Sequence, residues 1–243
     1  MYNMRNNRPW GSGSYGSRYQ FQALPYGYEG TQSSGLISRV MGLLAFSFVF
    51  AFIGAIVGTV IHIGAGASLV LMIVGIGVLL LLHLLIQKPG INLFLLYLFT
   101  FIEGLALAPL LAYYAATNGL ILGQAFLITA ITTFGLAIYA WTTKRDFTRI
   151  RDYLFAGLIL LIVAGIVSIF FQSTLFVAVI CIVGIAIFSG YVLFYIQQAR
   201  YMADTMPNAI GLTVGLFMAI LNLFLYILQL LAILQGGGGR GRR

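Results

Sequence analysis

Along most of this chain, apolar runs of roughly twenty residues alternate with short polar interruptions. That run length is what an α-helix needs to cross the roughly 30 Å hydrocarbon core of a bilayer. The pattern predicts seven spans, at 40–61, 68–87, 91–115, 120–141, 153–171, 174–198 and 209–234. The interruptions carry turn formers: HIGAGA at 62–67, Lys88-Pro89-Gly90, ATNG at 116–119, Gln172-Ser173 and RYMADTMP at 200–207. Proline after Lys88 stops a helix, because its ring clashes with the preceding turn and it has no N–H to donate. Gly54-x-x-x-Gly58 in the first span offers a small-residue face for close helix packing. The first apolar run begins only near Val40 and is long enough to span, so it reads as a span and not as a cleavable leader. The expected fold is an all-α integral membrane protein, a seven-transmembrane-helix bundle over 39–234. Before it, 1–38 is rich in Gly, Tyr and Arg with no helical or strand period, and reads as an irregular cytoplasmic tail. After it, 235–243 is a Gly/Arg tail.

Composition removes the soluble alternative. The chain is 61% hydrophobic and 7% charged with mean hydropathy +1.02, against about 25% charged residues in soluble domains. The formal charge of +8 sits in tails and loops, so it reads as topology signal and anionic-lipid contact, with no nucleic-acid partner expected. Cys181 is the single cysteine, which excludes an internal disulfide and a multi-cysteine metal site. The loop from Trp141 to Asp152 holds Lys144, Arg145, Asp146, Arg149, Arg151 and Asp152, six of the eighteen charged residues. Such a cluster stays in water, and loops rich in Lys and Arg stay in the cytoplasm, so Lys144, Arg145, Arg149 and Arg151 set the topology. With the amino terminus inside, ten of the thirteen basic residues fall on the inner side and none in the three outer turns. The carboxyl-terminal arginines are the conflict, since an odd number of spans puts them outside. A re-entrant last segment would resolve it, but 209–234 is longer than re-entrant segments usually are. The expected site is a prokaryotic inner membrane, with an organelle membrane as the alternative.

Candidate chemistry centres on Glu103, the one acid expected at mid-membrane depth. A carboxyl there must be protonated or find hydrogen-bond donors. Thr129, Thr132, Thr133, Ser189 and Asn222 fall at matching depth, and Pro109 frees the Leu105 carbonyl and predicts a kink. These groups either line a polar chamber for a proton or cation such as calcium, or serve as interhelical hydrogen bonds with nothing passing. His62 and His83 lie at opposite ends of their spans, which does not suit a two-histidine haem site. The last span has no lysine for a retinal Schiff base. No phosphate-binding loop, HExxH or Ser-His-Asp set is present, and a lone Glu without partners does not make an enzyme. No cofactor is expected.

FIEGLALAPLLAY at 101–113, QAFLITAITTFGLAIYA at 124–140 and WTTKRDF at 141–147 together resemble the Bax inhibitor-1 (TMBIM, or YccA-like) family. GYVLFYIQQ at 190–198 and AILNLFLYIL at 219–228 resemble that family's last two motifs. The resemblance covers roughly 39–234. It implies six helices wrapped around a central seventh, a passive pH-dependent calcium leak, and a role in cell survival or stress. It also implies an aspartate in each of the last two motifs, a proton-sharing pair that gates cation flux. By register those positions hold Tyr195 (FYIQ where the family has F-D-T-Q) and Ala219 (AILN where it has D-F-I-N). Two carboxylates in contact share a proton and can switch near neutral pH, which a phenol and a methyl group do not. The expectation is therefore a family fold with altered or lost pH gating. The alternative is a non-transporting accessory or scaffold subunit docking other membrane proteins through 1–38 and 235–243.

Overall fold

The structure, a computed structural model, describes residues 32–171 and 173–236. They form α1 (Gln32–Val60), α2 (Ala65–Leu85), α3 (Ile91–Thr142), α4 (Arg151–Phe171), α5 (Thr174–Tyr201) and α6 (Met206–Gly236), with a 3-10 turn at Thr148–Ile150 and no strand among the described residues. All six helices are long and apolar enough to cross a membrane. The irregular amino-terminal segment expected to reach residue 38 ends sooner, because α1 already begins at Gln32. Residues 1–31, 172 and 237–243 lie outside the described residues, and with them most of both tails.

The main departure from expectation is α3. Two spans with a turn at 116–119 were expected, and the chain instead runs helical over 52 residues with one interruption at Asn118 (φ −158°, ψ 76°). The backbone leaves helical geometry there and not at Pro109. As one straight rod, α3 would place Leu107 and Ala130 about 35 Å apart at 1.5 Å per residue. Both instead line one cavity. The chain therefore folds back on itself at Asn118. At the other end, α2 and α3 are joined through Gly90 at φ +83°, a backbone conformation open to a residue without Cβ. The Asn92 amide closes this turn by donating to the Ile86 carbonyl at 2.9 Å.

Small residues bring α1 and α3 together. A methyl group at Gly54 would strike the Phe101 carbonyl, one at Gly58 the Ala108 side chain, and one at Gly104 the Ala51 carbonyl. Backbones can approach this closely only where side chains are absent, the usual basis of helix packing in lipid. The Ser68 hydroxyl donates to the Ala106 carbonyl and ties α2 to α3. Helix α6 is enclosed along nearly its whole length: from Met206 to Ile233 only Gln229 is exposed, and α1, α3 and α5 all pack on it. By contrast α4 packs only on α5 and the 3-10 turn, and exposes Phe155, Ile162 and Phe170. Exposed hydrocarbon of that extent fits a lipid-facing surface.

The seven described basic side chains (Arg39, Lys88, Lys144, Arg145, Arg149, Arg151 and Arg200) gather at one end of the bundle. Arg39 of α1 meets Asp204 of the α5–α6 loop at 3.2 Å, and Arg200 reaches the Trp141 carbonyl at 3.4 Å. The opposite end holds the α1–α2 turn, Asn118 and the end of α6, where the Gln235 amide donates to Gln124 at 2.7 Å.

Candidate functional site

Helices α5 and α6 form a long antiparallel hairpin, and α4 leans on α5 without touching α6. The gap left between α4 and α6 is a cavity of about 790 Å³. Tyr195 comes from α5, Gly215, Ala219 and Asn222 from α6, and Arg151 and Asp152 from the first turn of α4. The Tyr195 ring lies where a Cβ on Gly215 would be, so the missing side chain of Gly215 makes room for the phenol. Tyr191 stacks on Tyr195 with ring centroids 5.9 Å apart. Ala219 is 2% exposed, and the Asn222 amide donates to the Met218 carbonyl of its own helix at 2.8 Å. Tyr195 and Ala219, matched by register alone, thus face the same space.

The mid-membrane polar groups are not brought into one chamber. Glu103 is half-buried on the face of α3 turned to α2, where its Oε1 would stand 3.0 Å from a Cβ on Gly75. It lines neither this cavity nor a second one, of about 630 Å³, between α1, both halves of α3, α5 and α6. Thr129 and Thr133 line that second cavity, and Asn222 lines the first. The Thr129 hydroxyl donates to the Ala125 carbonyl at 2.7 Å, while Thr133 Oγ1 is buried with no partner. Thr132 and Ser189 are half-buried and line neither cavity. Cys181 is buried, with its Sγ 3.5 Å from the Gln229 side chain.

The basic loop is held in one shape. The Thr148 hydroxyl and backbone N–H both donate to Asp146 Oδ1, at 2.6 and 2.9 Å. Those bonds, hydroxyl first, with Arg149 at 3.4 Å, hold the Asp146 carboxyl below its ordinary range. Gln197 was not among the residues singled out from the sequence, yet it is the side chain that docks this loop. It is 2% exposed, accepts from the Phe147 N–H and donates to the Arg145 carbonyl, each at 2.6 Å. An amide near the loop end of an otherwise apolar helix was the signal available.

The family model described as inhibitor of apoptosis-promoting Bax1 matches residues 33–236. The chain belongs to the Bax inhibitor-1 family. An uncharacterised membrane protein of Vibrio cholerae is 33% identical over 84% of this chain and 92% of its own length. Mouse protein lifeguard 4 is 32% identical over 71% of each chain. A Golgi anti-apoptotic protein of vaccinia virus is 32% identical over 65% of each. This Bax inhibitor-1 protein is therefore an integral membrane protein with bacterial, animal and viral relatives. Its α5–α6 cavity is walled by a phenol and a methyl group at the two register positions.

Proposed function

We propose that this Bax inhibitor-1 protein crosses the membrane seven times and keeps the cavity between α4, α5 and α6 without a proton-operated gate. Passive leak of calcium or protons along that cavity is then insensitive to pH through the neutral range. The observation that carries this reading is the placement of Tyr195 and Ala219 on one cavity. A shared proton requires two carboxyl groups so close that both cannot ionise. The carboxylate that does line the cavity is Asp152, in the first turn of α4 beside Arg151, at the loop end and not at mid-depth.

The reversal at Asn118 supports seven crossings, since α3 is about 78 Å of helix against a core of roughly 30 Å. The gathering of basic side chains at one end supports a cytoplasmic amino terminus. The bacterial relatives support a prokaryotic inner membrane. The anti-apoptotic viral relative supports a role in cell survival. No catalytic step enters this reading.

Calcium flux into liposomes holding the purified protein tests it. Flux is expected to differ by less than about twofold between about pH 6 and pH 8, the interval in which gating groups usually titrate. The paired change Tyr195→Asp with Ala219→Asp is expected to introduce a steep pH dependence. A steep dependence in the unaltered protein overturns the reading. The separation of Glu103 from Asn222 and the threonines favours a second one, a non-transporting subunit of a larger membrane complex. Absence of flux at both pH values, with a membrane partner retained on purification, supports that one.

A further inference from the structure

The second cavity has a hydrocarbon wall: Leu44 and Ala51 of α1, Leu107 and Ala130 from the two halves of α3, and Leu216 and Phe224 of α6. Thr133 supplies its one unpartnered hydroxyl. A buried water needs two to four polar partners, so water does not fill this space. Leaving it empty would forfeit packing in proportion to its volume. Its edge residues Phe52, Phe126 and Phe134 are 65%, 53% and 69% exposed, so it opens sideways to the bilayer. Another helix is too thick: at ~10 Å across and ~30 Å long it occupies on the order of 2,500 Å³. A single acyl chain is far thinner than a helix and is not excluded on that ground.

The loop end of the cleft selects the headgroup. Ile196 and Ala137 line the cleft, and Arg200 and Trp141 follow them by four residues, on the same helix faces and one turn nearer the loops. The Arg200 guanidinium lies 5.7 Å from the Trp141 ring centroid. Lys144 and Arg145 follow directly in the loop. Asp204, on the neighbouring loop, is engaged by Arg39. Tryptophan at the membrane–water boundary beside clustered cations suits a lipid phosphate. We propose that this cleft holds one acyl chain of an anionic phospholipid, with its headgroup bound at Arg200 beside Trp141.

Native mass spectrometry of the full chain, released from nanodiscs of mixed phosphatidylglycerol and phosphatidylcholine, tests this. One retained phosphatidylglycerol is expected. Arg200→Gln should lower its preference over phosphatidylcholine about fivefold, the equivalent of about 1 kcal/mol for one basic side chain. Ala130→Phe should fill the cleft and abolish retention. A measurement on the unaltered protein covers the case in which that variant misfolds. Phosphatidylglycerol with a photoreactive group in its acyl chain should crosslink to Leu107, Ala130 and Thr133 in preference to Ile162 on the lipid face of α4. Retention without headgroup preference, or crosslinks spread evenly over α2 and α4, overturns the proposal.

Discussion

Gly104 stands where α1 and α3 are closest, and a methyl group there would collide with the Ala51 carbonyl. A backbone carbonyl on a packed helix cannot swing aside as a side-chain tip can. Gly104→Ala is therefore expected to lower stability by about 1–3 kcal/mol, read from denaturant unfolding in micelles. Gly77→Ala on α2, with open space around it, should be neutral or mildly stabilising, because alanine constrains the unfolded chain. Equal losses from both would show that close packing is not what Gly104 provides. The small-residue spacing of Gly54 and Gly58 was readable in the sequence. Their partners, the Phe101 carbonyl and Ala108, were not, since spacing on one helix says nothing about the surface it meets. The same holds for Gly215, whose role is visible only with the Tyr195 ring against it.

Between elements, the tie that matters most for the basic loop is Gln197. Its amide closes two hydrogen bonds to backbone groups fifty and more residues earlier in the chain. Gln197→Leu would leave the Phe147 N–H and Arg145 carbonyl without these partners, and the loop would be less firmly held to α5. Faster amide hydrogen exchange across 143–150 is the expected outcome, with α2 unaffected. Unchanged exchange would mean that the Asp146–Thr148 bonds alone order the loop. Span boundaries were largely legible, because hydropathy marks where lipid ends; α5 begins at Thr174 as expected and α4 ends at Phe171. The turn expected at 116–119 falls where the chain reverses, but it is shorter than four residues. Reversal at that point needs only one non-helical residue, Asn118, so helical hydrogen bonding continues close to it on both sides.

For the whole molecule, the number of crossings decides which surfaces share a compartment. With Cys181→Ala as background, cysteines placed singly at Asn118 and Asp146 should react with a membrane-impermeant maleimide from opposite sides of the membrane. Reaction of both from one side would remove the seven-crossing topology. Two cavities flank the enclosed helix α6, and they differ in kind: one carries Arg151, Asp152 and Tyr195, the other almost only hydrocarbon. That division separates polar candidates that had looked like neighbours. Asn222 lies on the first cavity, Thr129 and Thr133 on the second, and Glu103 on a third face toward α2.

The amino-acid sequence by itself determined that this protein lives in a bilayer, roughly where each apolar run begins and ends, and that its loop cations share one side. Those properties depend on run length and charge, which are local and additive along the chain. It also placed Tyr195 and Ala219 at the two aspartate positions of the family it resembles, through the motifs around them. Only the tertiary structure decided that these two share a cavity and that Glu103 is not part of it. Depth along a helix follows from counting residues, but rotation about the helix axis follows from which neighbours it packs against. Those neighbours lie tens of residues away in the chain.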